Sequence, residues 1–317
     1  MSIGIICPKG FEDGLGLSYE STRVRPNKDQ PVMVDFYSGK LGGKKVIFVP
    51  RHDDTELSRD THHLRNMILM YLCGAHQVIG ISEAKSFQDN IGLRQIVMPD
   101  QLYVQRGIEP TFYGDGLDVE TRMKEPVCKD TMIGRARSKK KDLESKCVQR
   151  VHIGGIFVHT PGPATATAAE VEYMRTQIPK KLAATSEGWA QLDDDTTRPL
   201  DLRNPRADGL DIPTAVALGH DMIEAYAAKE LALCYAHLGM ITSYENPKRP
   251  SLPGKKAKEI FKDMIPKMHA LLEVLIGALP EDQDCRCSRA LEGAGRGIDM
   301  DTAHPLLVKI LKDRGAF

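Results

Sequence analysis

Residues 214–245 read TAVALGHDMIEAYAAKELALCYAHLGMITSYE, and this stretch decides the fold. Thr214 to Leu218 is a short apolar run closed by Gly219, the pattern of a buried strand. Gly219-His220-Asp221 breaks the run, and Asp221 stands where a helix cap is wanted. Met222 to Ala236 is rich in strong helix formers, among them Glu224, Ala227, Ala228, Lys229, Glu230, Leu231 and Leu233. Leu238 to Thr242 is apolar again and opens into Ser243-Tyr244-Glu245. Parallel strands of α/β proteins expose their carboxyl ends to ligands. His220, Asp221, Ser243 and Glu245 are therefore candidates to face one crevice.

Working outward, Ser2 to Cys7 is a β-branched run, followed by a turn at Pro8-Lys9-Gly10. Val32–Tyr37 and Lys45–Pro50 are predicted strands, with Gly39 to Gly43 turning between them. The second ends at Arg51-His52-Asp53-Asp54. A helix is expected over 59–73, with Leu64, Ile68 and Tyr71 or Leu72 at helical spacing. Gln77 to Ser82 reads as a buried strand running into Glu83 and Lys85, and Ile96 to Gln101 as another. Residues 103–128 read as a long irregular loop. Arg135 to Lys146 reads as a solvated basic helix face, Val151 to His159 as a strand, and Pro161-Gly162-Pro163 as a turn. A helix then starts near Thr167, where Thr167 and Glu170 fit a capping box. Residues 178–208 are charged and proline-bearing, a surface insertion. Lys255 to Leu279 is amphipathic, with Pro266 expected to kink or split it, and Thr302 to Lys312 forms a last helix. Strands alternating with helices predict one α/β domain over 1–317, with a mostly parallel sheet and helices outside.

The 317 residues carry 43 basic and 43 acidic side chains. Such balance gives no electrostatic footprint for nucleic acid or an anionic membrane. No apolar run is long enough to span a bilayer, and the start lacks the features of a secretory signal. Seven scattered cysteines fit a reducing, cytoplasmic setting better than a disulfide scaffold. The pair Cys285 and Cys287 reads as two incidental thiols, because no second ligand pair accompanies it. His62-His63 likewise lacks a third ligand. No metal and no cofactor is expected.

Several segments together resemble the purine nucleoside phosphorylase family, and within it the 5′-methylthioadenosine phosphorylases. They are IGIICPKG at the start, VIFVPRH ending at His52, HQVIGISEAKSF, IVMPDQ, Glu125-Pro126-Val127-Cys128, TPGPATATAAE and the whole of 214–245. The resemblance implies a nucleoside phosphorylase-like fold, a mixed twisted sheet or distorted barrel flanked by helices. It also implies a homo-oligomer, trimer or hexamer, acting on a small molecule. By position, Lys9 falls in the phosphate loop, Arg51 and His52 in the phosphate site, and Ser82, Glu83 and Lys85 beside it. Gly219 and His220 fall where the family places a ribose-touching Met and a phosphate-binding Thr. Ser243 and Glu245 take the two base-reading Asp positions. Glu120 takes the place of a histidine lent to the sugar end by a neighbouring protomer.

Many of these are substitutions. Cys7-Pro8-Lys9-Gly10 replaces Gly-Gly-Thr-Gly, and proline has no amide hydrogen to offer an anion. Asp53 and Asp54 follow the Arg-His pair where the family has Gly and Arg. The replacements bring titratable groups to strand ends, which suits acid–base chemistry. From these residues three functions are drawn. The first is a rebuilt site in which His220, Asp221, His52 and Glu245 catalyse an isomerisation, elimination, cyclisation or hydrolysis. There Lys9, Arg51, Ser82, Glu83, Lys85, Gly219, Ser243 and Glu120 bind the substrate. The second is a nucleoside or methylthioadenosine phosphorylase of unusual specificity, with phosphate as co-substrate. The third is a non-catalytic binding subunit.

Overall fold

The computed structural model describes residues 2–25, 31–52, 59–104, 111–114, 116–160, 166–176, 215–246 and 248–317. Its strands are β1 (Ser2–Cys7), β2 (Ser18–Val24), β3 (Val32–Leu41), β4 (Lys44–Pro50), β5 (Ala75–Ser86), β6 (Ile96–Met98), β7 (Gln101–Val104), β8 (Leu117–Val119), β9 (Val151–Ile153), β10 (Ile156–His159), β11 (Ala215–Gly219), β12 (Cys234–Tyr244) and β13 (Gly295–Ile298). Its helices are α1 (Arg59–Leu72), α2 (Gly134–Ser138), α3 (Lys140–Cys147), α4 (168–176), α5 (Glu224–Glu230), α6 (Gly254–Ala278) and α7 (Pro305–Asp313).

All strands but β8 and β13 join one mixed 11-stranded sheet. β5 is its spine. At 12 residues it is long enough to bond β1 early on one edge, β12 along the other, and β11 at its far end. β1, β4, β5 and β12 all run parallel, so their carboxyl ends converge. The register is definite: Cys7 faces Pro50, Ile6 faces Gly80, Ser82 faces Gly239 and Lys85 faces Ser243. β1 and most of β12 are buried on both faces, hence their continuous apolar runs. The core continues into the buried stripe of α6, through Ile260, Met264, Met268, Leu271 and Leu275.

Several expectations need correction. The helix predicted over 222–236 is only α5, because Ala232 takes a left-handed φ of 52° and Leu233 N–H returns to the Ala228 carbonyl. β12 then starts at Cys234, four residues before the predicted strand. Asp221 does not cap α5, whose N-cap is Ile223 with no side-chain bond. Ile96–Gln101 is two strands separated at Pro99, and 151–159 is two separated at Gly154-Gly155. The expected loop 103–128 contains β8, and β7 extends into it. Pro266 does not split α6: it lies on the solvent-exposed side of the helix, where the carbonyl it frees is not forced into the core. The capping box forms as read, with Thr167 N–H donating to Glu170 and Glu170 N–H to Thr167 Oγ1. Asp53, Asp54, the turn at 161–163 and the insertion at 178–208 lie outside the described residues.

Candidate active site

Arg51 leaves the end of β4 and turns inward. Its chain is pinned by Arg51 N–H to the Cys7 carbonyl at 2.7 Å and by Asn66 Nδ2 to the Arg51 carbonyl at 2.9 Å. The residue is almost wholly buried (1% exposed) and spends its guanidinium donors on protein. Nε bonds Glu224 Oε1 at 2.6 Å, Nη1 bonds the Ile81 carbonyl at 2.7 Å, and Nη2 reaches the Ile6 carbonyl at 3.2 Å and Glu224 Oε2 at 3.4 Å. Asp221 Oδ2 lies 3.4 Å from Nη1, the looser of its two carboxylate partners and the one nearer solvent. His52 stands beside it, its side chain nearly half exposed, with Nε2 4.0 Å from Asp221 Oδ1.

Behind Arg51 runs a buried polar chain. His63 Nδ1 is 3.3 Å from Glu224 Oε1, and Tyr235 OH donates to Glu224 Oε2 at 3.1 Å. His237 Nδ1 is 3.0 Å from Tyr235 OH, and His237 Nε2 is 2.8 Å from Ser82 Oγ. Since the tyrosine proton goes to Glu224, His237 donates from Nδ1 and accepts the Ser82 hydroxyl at Nε2. Gly80 makes this packing possible: a Cβ there would sit 2.2 Å from Tyr235 OH and 2.8 Å from Glu224 Oε2.

Electrostatics follow from burial and charge. Burial alone would weaken the Arg51 cation, but Asp221 and Glu224 more than reverse that and hold it charged. Burial would raise Glu224, yet Arg51 and His63 hold it down to about 2. Asp221 is pulled down the same way, Arg51 overriding burial. Burial lowers His52 to about 4 despite Asp221, and lowers His237 to about 4 with help from Arg51. Both histidines are neutral at pH 7. Glu83 is raised by burial, although Thr242 Oγ1 donates to it at 3.1 Å.

The remaining candidates spread around this centre. Lys85 Nζ and Glu245 Oε2 form a 2.6 Å ion pair across the ends of β5 and β12. Ser243 is buried and accepts the Leu252 N–H at 3.0 Å. His220 Nδ1 donates to the Thr160 carbonyl at 2.5 Å, which turns it toward the end of β10. Gly219 has a packing reason to lack a side chain, since a Cβ would lie 2.6 Å from the Phe157 ring. Lys9 is exposed in its loop, where Gly10 N–H donates to Glu12 at 3.0 Å. Glu120 is not brought to the strand ends of its own chain. It pairs with Arg296 and lines a separate cavity of about 480 Å³ with Arg122, Lys124 and Lys229.

Sequence reasoning took Glu224 for a helix former and missed Tyr235 and His237. It also weighed His63 only as a metal ligand. One signal pointed to Glu224: an arginine at a buried strand end needs a buried counter-ion. Nothing in the sequence marked His237, which sits inside an apolar strand.

The model of the Phosphorylase superfamily matches residues 2–184. A probable S-methyl-5′-thioinosine phosphorylase of Methanothermobacter thermautotrophicus is 26% identical over 80% of this chain and 76% of its own. A purine nucleoside phosphorylase of Streptomyces coelicolor is 26% identical over 93% of this chain and 96% of its own. A crystal structure of a methylthioadenosine phosphorylase from an antarctic soil metagenomic library superposes with a TM-score of 0.70 at 19% identity, covering 98% of both chains. These relatives favour the phosphorylase reading over the rebuilt one, and none of them speaks for another chemistry.

Proposed function

The chain belongs to the phosphorylase superfamily, and from that premise we propose that it cleaves the N-glycosidic bond of a purine nucleoside or 5′-thionucleoside, with phosphate as acceptor. The observation that carries this reading is the loose contact between the buried Arg51 and the partly exposed Asp221, which an anion could displace. Four of its five contacts run to buried acceptors, while the fifth, to Asp221, is long and lies beside the half-exposed His52. An anion docking there meets a fixed cation and a neutral imidazole N–H. Preorganised charge stabilisation of this kind commonly contributes more to catalysis than any other single effect. Lys85, held by Glu245, stands at the neighbouring strand ends as a proton donor for the departing base. His220, Gly219, Ser82, Glu83, Ser243 and Lys9 are the surrounding binding residues in this reading. A neighbouring copy in a homo-oligomer supplies Glu120. The free cysteine thiols keep the cytoplasm as the proposed compartment.

A second reading rests on Asp221 itself. A carboxylate 3.4 Å from Arg51 already occupies the anion-facing side, and with His52 it suits activation of water instead of phosphate. Incubation with methylthioadenosine, methylthioinosine or inosine, with and without phosphate, separates the two. Base release that requires phosphate and yields a sugar 1-phosphate supports the first reading. Release indifferent to phosphate supports the second.

A further inference from the structure

Away from the strand ends, four thiols meet. Cys128 precedes a π-helical turn at Lys129–Ile133, Cys234 is the first residue of β12, and Cys285 and Cys287 flank the start of a 3-10 turn at Arg286–Arg289. Their sulfur atoms all lie within 4.8 Å of one another. Cys234 Sγ is 3.2 Å from Cys285 Sγ, and Cys128 Sγ is 3.8 Å from it. Cys128, Cys234 and Cys287 are buried and Cys285 is half-buried. Tetrahedral zinc with Zn–S bonds near 2.3 Å has sulfur–sulfur edges of about 3.8 Å, so the cluster spans the size of one such cage.

The donor set is chemically selective. Four thiolates favour a soft or borderline cation, and a closed set of four protein ligands marks a structural site. The C-x-C pair, uninformative alone, gains its missing partners from two segments more than 50 residues away in the chain. Cys285 is extended, with φ −154° and ψ 168°, which lets the i and i+2 thiols point to one side. The surroundings are prepared as well. Gln283 Nε2 bonds the Ala232 carbonyl at 2.8 Å and Cys234 Sγ at 3.5 Å. Cys128 N–H bonds the Tyr235 carbonyl at 2.8 Å, and Arg286 pairs with Asp130 at 3.1 Å. Such outer contacts orient metal ligands.

We propose that Cys128, Cys234, Cys285 and Cys287 hold a structural Zn²⁺ ion that ties the segment after α6 to the first residue of β12. Loading releases four thiol protons to solvent and forms four Zn–S bonds, with no electron transferred.

The test uses the full chain, purified in chelator-washed buffers without reductant. Elemental analysis is expected to find about one zinc per chain. Cys285→Ser with Cys287→Ser should lower that at least tenfold. Exchange of the wild-type ion for Co²⁺ should give thiolate-to-cobalt charge-transfer bands and tetrahedral d–d bands, a readout that does not depend on any variant folding. Alkylation of the denatured, never-reduced protein with a chelator present should modify all seven cysteines. Absence of bound metal with every thiol free would overturn the proposal. So would alkylation of only the cysteines outside the cluster, which means disulfides, or zinc retained undiminished in the double variant.

Discussion

Glu224→Gln isolates the central ion pair with little change of shape. Glu224 is fully buried and held down to about 2 by Arg51 and His63, against an ordinary value of 4.5. A difference of that size corresponds to roughly 3 kcal/mol of folding free energy at pH 7. Breaking a buried pair from one side typically costs about 3–5 kcal/mol, so the two routes agree. Because the folded value is depressed, this stabilisation is present above pH 4.5 and fades as pH falls toward 2. Urea unfolding followed by far-ultraviolet circular dichroism, at fixed protein concentration, should show the variant about 3 kcal/mol less stable at pH 7. The gap should narrow below pH 4.5. Adding Arg51→Met should recover part of the loss, since the buried cation left with only the looser Asp221 contact is then gone. A variant within about 0.5 kcal/mol of wild type at pH 7, or a gap that ignores pH, would refute the reasoning.

His237 is neutral in the fold, its value lowered from 6.5 to about 4 by burial and Arg51. The unfolded chain takes up that proton first, so stability is full above pH 6.5 and should fall by about 3 kcal/mol on the way to pH 4. His237→Gln should flatten that part of the profile, and an unchanged slope would count against the assignment. Gly80→Ala should destabilise by several kcal/mol in urea melts, because its Cβ meets Tyr235, Glu224 and His237 at under 3.0 Å; a neutral result would mean the network relaxes freely. Asp221→Asn should lower the KM for phosphate by about tenfold, since a like charge beside the anion is removed. If Asp221 is instead the base for water, turnover should drop by roughly 10²- to 10⁴-fold.

The sheet was legible because buried parallel strands leave continuous apolar runs, and β1, β4 and β12 carry such runs. Boundaries were harder. Ala232 ends α5 by a left-handed residue that no propensity scale anticipates, so Ala236 was read as helix instead of strand. At the site, Asp221 was legible from its strand-end position and Arg51 through the family resemblance, and the structure joins them. Glu224 and His237 were not found, because a helix-forming glutamate and a histidine inside an apolar strand look like local choices until the fold stacks them. The cysteines illustrate the same point. Cys285 and Cys287 are close in sequence, but Cys128 and Cys234 join them only through the tertiary fold.

Reversed-phase quantification of free base and sugar phosphate, with methylthioadenosine as substrate and phosphate varied, tests the central claim most directly. Saturable, phosphate-dependent release of base, with sugar 1-phosphate formed in equal amount and lost in Arg51→Ala, is the predicted result. Base released at the same rate without phosphate, or no release from any purine nucleoside by folded protein, would contradict it.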